Sequence, residues 1–210
     1  MSKTSTMPVG KEAVTSQRSR IKNLTKIALL GAIAAILMIW EFPIPFMPVF
    51  LKFDFGDVPA VLATFSMGPL AGIAVQLIKN VVHLPMSSTM MVGELANFLI
   101  GSALVGVAGV IYQKRRTFQG AVLALACGTL AMTVVGALFN HFINIPFYIR
   151  VMGFKAEDIV GAARGAGNTL VTDLKTLILW VFVPFNIFKG LVVSLISSLI
   201  YKPLSPILKK

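Results

Sequence analysis

Five apolar stretches, residues 21–40, 58–84, 95–112, 118–142 and 177–201, take up most of this 210-residue chain. Each is close to or beyond the ~20 residues a helix needs to cross the hydrocarbon core of a bilayer. With 56% hydrophobic and 13% charged residues, the chain carries more apolar surface than a soluble domain of this size can hide. It reads as an all-α integral membrane protein. Its 19 Lys and Arg against 8 Asp and Glu gather between the apolar runs, as topology determinants do, so no nucleic-acid partner is expected. The single Cys127 lies inside an apolar run and excludes an internal disulfide or a cysteine-built metal site. No small-residue cleavage pattern follows Trp40, where Pro43, Pro45 and Pro48 take over, so the first stretch is a retained span.

Five spans would put the two basic ends on opposite sides, although both have cytoplasmic character. The stretch 58–84 resolves this, because Gly68-Pro69 interrupts it and proline ends or kinks the helix before it. Two short helices, 57–67 and 69–84, then replace one span and cross only partly or line a cavity. The result is a six-transmembrane-helix bundle with N-in/C-in topology. Lys114-Arg115-Arg116, the N-terminal basic segment and Lys209-Lys210 all fall on the cytoplasmic side. The expected organisation is a flexible basic cytoplasmic arm over 1–20, one membrane domain over 21–205 and a cytoplasmic tail over 206–210. A long outer segment, 145–183, includes a piece at 161–167 too glycine-rich to span.

That topology collects polar groups in the outer half of the bundle. Asn186 and Lys189 share one face of the last helix at i and i+3. Burying an amide and an ammonium in an apolar helix costs several kcal/mol without partners, about 2–7 for the amide alone, so they mark a site. Asn140 and Asn144 close the outward end of the fifth helix, and Glu94 and Asn97 open the fourth. The first outer loop, with Glu41, Phe46, Met47, Leu51 and Asp54, is too apolar to face water and too proline-rich for a helix, and is expected to form a lid. His141 has no partner at metal-ligand spacing, so no metal is expected.

At these residues the chain resembles a known family. Pro184-Phe185-Asn186-x-x-Lys189-Gly190, Phe53-Asp54-Phe55-Gly56-Asp57-Val58-Pro59, Gly68-Pro69-Leu70-Ala71-Gly72 and Ala96-Asn97-Phe98-Leu99-x-Gly101 are, in order, similar to the riboflavin-specific S components of energy-coupling factor (ECF) transporters. The resemblance runs over 26–201. It implies a multi-pass subunit of a prokaryotic cell membrane that captures riboflavin outside and delivers it through a transmembrane T protein and two ATP-binding subunits. It implies flavin contacts at Asn186, Lys189 and Asn140 and along the first loop from Phe46 to Asp54; Asn97 and Glu41 join the candidate site by their placement in the outer half. It also implies a T-protein docking surface at Ala28 and Ala32, with Gly31 and Ala35 as a second register. Riboflavin is then cargo and no cofactor is expected.

FMN or another vitamin of the same shape is the competing ligand, because Lys189, Arg150 and Arg164 would tolerate a phosphate. The chain has no Gly-x-x-x-x-Gly-Lys-Ser/Thr loop, so ATP hydrolysis is expected in partners and no enzyme activity here. A small membrane enzyme is the weaker alternative: Ala163-Arg164, Gly167 and Asp173 lack the carboxylates a phosphotransferase metal site needs. An autonomous proton-coupled transporter would want carboxylates in the inner half, where almost none occur.

Overall fold

The computed structural model describes residues 9–208, with side chains described over 17–201. The expected arm 1–20 and tail 206–210 therefore fall partly outside the described residues, Lys209 and Lys210 entirely so. The helices are α1 (Val9–Ile39), α2 (Asp57–Met67), α3 (Pro69–His83), α4 (Val92–Lys114), α5 (Phe118–Phe139), α6 (Ile145–Arg150), α7 (Ala156–Gly165), α8 (Leu174–Leu177) and α9 (Val183–Leu208). Among the described residues four helical stretches are long and apolar enough to cross a membrane: Gln17–Ile39, Val92–Lys114, Phe118–Arg150 and Leu174–Tyr201. Their outward faces expose residues such as Leu29, Ile36, Leu130, Val134, Leu191 and Leu195, a surface suited to lipid rather than water.

α2 and α3 fold as the sequence predicts, separated by Gly68 alone. Gly68 has φ +103°, a conformation that L side chains rarely adopt, and Pro69 starts α3, where a missing N–H costs nothing. α3 packs against α1, α2 and α4, while α5 packs against α4 and α9. α2 is thereby buried along most of its length, whereas α3 keeps an exposed apolar face with Leu70, Leu77, Val81 and Val82.

The fifth helix runs further than the expected end at residue 142. α5 passes through a π-helical turn, Asn140–Asn144, directly into α6. A second π turn, Ile178–Phe182, joins α8 to α9. Each wide turn ends two residues before a proline, Pro146 or Pro184. A proline ring removes one donor and crowds the carbonyl four residues back, and the wider turn gives it room. The carbonyl four residues before Pro184, that of Trp180, accepts a hydrogen bond from Asn168 Nδ2 at 3.0 Å. Proline thus widens these helices without ending them, and the expected outer segment 145–183 shrinks to the residues around α7. Residues 174–183 run continuously into the last helix, one of the two arrangements, with a separate short helix, that the sequence leaves open for 169–183.

Asp173 caps α8 by accepting from the Thr176 amide at 2.7 Å. That bond holds its exposed carboxyl below the usual carboxylate range. The loop expected to lie outside is an ordered hairpin: β1 (Phe42–Pro43) pairs antiparallel with β2 (Lys52–Phe53), Phe42 opposite Phe53. Glu41 and Lys52 form an ion pair across it. Phe53 is buried between Phe42, Phe55 and Phe188, with ring centroids 5.5, 5.0 and 5.9 Å away. The hairpin is therefore rooted on α9 by aromatic packing.

Candidate ligand-binding site

Both π turns open toward a cavity at the end of the bundle opposite the Lys114–Arg116 loop. Its wall includes Met38, Glu41, Leu51, His83, Glu94, Asn97, Ile100, Met132, Asn140, Asn144, Tyr148, Phe182, Phe185, Asn186 and Lys189. The space free of atoms, open mouth included, is about 880 Å³. Polar and apolar side chains share this wall in comparable measure.

The π turns position those polar groups. Asn140 Nδ2 donates to the Gly136 carbonyl at 2.7 Å, and its Oδ1 accepts from Asn144 Nδ2 at 2.8 Å. Asn186 Nδ2 donates to the Phe182 carbonyl at 2.8 Å. That bond fixes the amide orientation and leaves Oδ1 as its open acceptor. Asn186 can sit this close to α5 only because residue 136 is glycine: a Cβ there would lie 2.6 Å from Asn186 Nδ2. At the opposite wall Glu94 Oε1 lies 3.1 Å from His83 Nδ1, and its Oε2 accepts from Ser87 Oγ at 2.7 Å.

Beneath the cavity lies a ring of four buried charges. Lys189 Nζ is 2.7 Å from Asp54 Oδ2 and 3.0 Å from Asp57 Oδ2. Lys79 Nζ is 2.6 Å from Asp57 Oδ1 and 3.4 Å from Asp54 Oδ1. Each carboxylate bridges both ammonium groups, so charge alternates around the ring and sums to zero. Gln76 Nε2 donates to Asp57 Oδ1 at 2.8 Å, and the Gly56 amide donates to Asp54 Oδ1 at 2.8 Å. Asn97 Nδ2 reaches Asp54 Oδ2 at 3.5 Å. Paired in this way, buried charges are tolerated that would otherwise be expelled.

The residues singled out from sequence fall in several places. Asn186, Lys189, Asn140, Asn97, Leu51 and Glu41 line the cavity. Asp54 lies under Lys189 in the ring. Met47 is half-buried against the core, and Phe46, exposed, sits over Gly167 with φ 64°. Arg150 and Arg164 are not on the wall, and Arg164 Nε donates to the Val171 carbonyl at 2.7 Å. The cations on the wall, Lys52 and Lys189, are both paired with carboxylates. Ala28 and Ala32 are exposed on α1, whereas Gly31 and Ala35 are buried. A Cβ at Gly31 would meet Ile78 of α3 at 2.8 Å, so the second small-residue register serves packing within the bundle.

Sequence reasoning missed Lys79, Asp57 and Gln76. The signal was present: Gln76 and Lys79 repeat the amide-to-ammonium spacing of Asn186 and Lys189, and with Asn80 and His83 they mark one buried face of α3. Among the described residues no group of three His, Cys, Asp or Glu is placed to hold a metal ion.

Residues 22–201 match the model of the family "ECF transporter, substrate-specific component". The chain is 38% identical over 189 residues to the riboflavin transporter RibU of Staphylococcus aureus (strain TCH60), covering 90% of this chain and 93% of that one. It is 34% identical over 190 residues to the riboflavin transporter FmnP of Bacillus subtilis (strain 168), covering 89% and 94%. A solved structure described as the S component of a bacterial ECF transporter superposes with a TM-score of 0.73 at 37% identity, covering 91% of this chain and 99% of that one.

Proposed function

Because this chain belongs to the substrate-specific components of ECF transporters, we propose that it is the subunit that captures riboflavin outside the cell and releases it inward. The observation that carries this is the pairing of Asn186 and Lys189 on the wall of one cavity. An isoalloxazine ring is a flat apolar plate with a uracil-like edge of adjacent N–H and C=O groups. Asn186 Oδ1 is an acceptor for the N–H and the Lys189 ammonium a donor for a carbonyl. Met132, Phe182 and Phe185 supply apolar surface for the plate. The names of the relatives support the same ligand.

The cargo reading requires no resident cofactor. The chain acts in a bacterial cell membrane as a six-helix N-in/C-in subunit, with α2 and α3 counted as two of the six. A T protein docks on the exposed Ala28 and Ala32 surface, and two partner subunits hydrolyse ATP. Titration of riboflavin into detergent-purified protein tests the ligand: its fluorescence is expected to quench to a stoichiometric end point. A flat titration by folded protein removes the assignment, and a tighter end point for FMN transfers it to the phosphate.

A further inference from the structure

We propose that Lys79 and Asp57 are positioning residues for ligand capture, closing a ring of charge that holds the Lys189 ammonium with one face turned to the cavity; this rests on the riboflavin reading above. Neither residue lines the cavity, and neither has any exposed surface. They reach the cavity through the groups they hold, Lys189 directly and Asn97 by way of Asp54.

An ammonium has three N–H donors. In Lys189 one is directed at Asp54 Oδ2 at 2.7 Å. Asp57 Oδ2 lies 3.0 Å from the same nitrogen, an ion-pair contact off the hydrogen-bond axis that fixes a second side. Lys189 is itself a wall residue of the cavity, and on this proposal its third N–H is given to that side. A lysine on a flexible stem would otherwise lose rotamer freedom when it binds a ligand. The ring makes that loss during folding, so the donor is set in advance.

Lys79 is what lets both carboxylates remain. Asp54 and Asp57 share Lys189, and without Lys79 the buried cluster carries one uncompensated negative charge. Lys189 is then the sole cation for two carboxylates and is drawn down between them, away from the wall. The balance can be restored without Lys79 by neutralising Asp57. Gln76 Oε1 has no hydrogen-bond partner, so the Gln76 amide is able to turn over and accept from the side-chain amide that Asp57→Asn introduces. The oxygen of that new amide then faces Lys189.

The test is riboflavin fluorescence titration of the purified native protein, Lys79→Met and the double variant Asp57→Asn/Lys79→Met. Lys79→Met is expected to weaken binding by about tenfold or more, the loss of one charge-assisted hydrogen bond. The double variant is expected to return to within about threefold of native, a recovery that packing of the Lys79 stem does not produce. Native affinity in Lys79→Met overturns the proposal, as does equal weakness in both variants. Should Lys79→Met fail to fold, the double variant alone decides: near-native affinity supports the ring and lost affinity overturns it. A native protein that leaves riboflavin fluorescence flat fails at the ligand assignment; native binding with an indifferent Lys79→Met fails only the ring.

Discussion

Lys189 Nζ lies 2.7 Å from Asp54 Oδ2 across 135 residues of sequence. The contact ties the base of the hairpin to the middle of the last long helix, directly below the cavity. Asp54 also accepts from the amide of Gly56, which immediately precedes α2. One carboxylate therefore joins the hairpin, α2 and α9. The hairpin's other anchor, Phe53 against Phe188, reaches the same helix. Whatever moves in this loop does so about a root fixed on α9, with residues 44–51 carried beyond it.

Replacing Lys189 by methionine is expected to damage both stability and binding. It leaves Lys79 facing two buried carboxylates, and removing one member of a buried ionic group costs about 3–5 kcal/mol. The thermal unfolding midpoint in detergent should fall well below native, together with riboflavin affinity. An unchanged midpoint would show that the ring is not a stabilising unit.

Asn186→Ala is expected to weaken riboflavin binding by about 1–3 kcal/mol through the loss of its open acceptor. Gly136→Ala should reach the same result indirectly. Its new Cβ would stand 2.6 Å from Asn186 Nδ2, and the amide or the helix must shift at a cost of about 1–3 kcal/mol. Titration of both variants checks the pair. Full affinity in Gly136→Ala would mean that the orientation of Asn186 is not what binding reads.

How much of this was legible in the sequence follows from the kind of signal involved. The break between α2 and α3 was readable because Gly68-Pro69 acts locally, on its own dihedrals and on the residue before it. Proline at 146 and 184 gave the opposite outcome. There the helix continues through a π turn, since tertiary packing holds both flanks and Asn168 satisfies the carbonyl of Trp180. Asn186, Lys189 and Asn140 were found because an unpaired polar group in an apolar helix is conspicuous. Their partners were harder. Asp54 and Asp57 lie at a loop and a helix start, where carboxylates are ordinary, and only the fold shows that they face Lys79 and Lys189. The strands of the hairpin are two residues each, too short for any alternation to register.

The two small-residue registers of α1 should separate in function. Ala28→Leu or Ala32→Leu enlarges an exposed surface and is expected to leave riboflavin affinity unchanged while blocking uptake in cells that supply the partner subunits. Gly31→Leu should instead lower the unfolding midpoint, because even a Cβ at that position meets Ile78 at 2.8 Å. Uptake that survives both alanine substitutions would move the docking face away from α1.

The hairpin offers a contrast between two phenylalanines. Phe53 is 2% exposed and packed among three rings, while Phe46 is 71% exposed. Phe53→Ala removes a buried aromatic and is expected to cost about 3–5 kcal/mol, and the loosened root should raise the rate at which bound riboflavin escapes. Phe46→Ala removes a side chain off the cavity wall; its effect on stability should stay within about 0.5 kcal/mol, and affinity within about twofold. Stopped-flow fluorescence separates the two, because escape and capture are read as different rates. A large rise in escape for Phe46→Ala would show that the hairpin tip closes over the ligand and that Phe46 meets it there. An unchanged escape rate in Phe53→Ala would show that retention does not depend on how firmly the hairpin is rooted on α9.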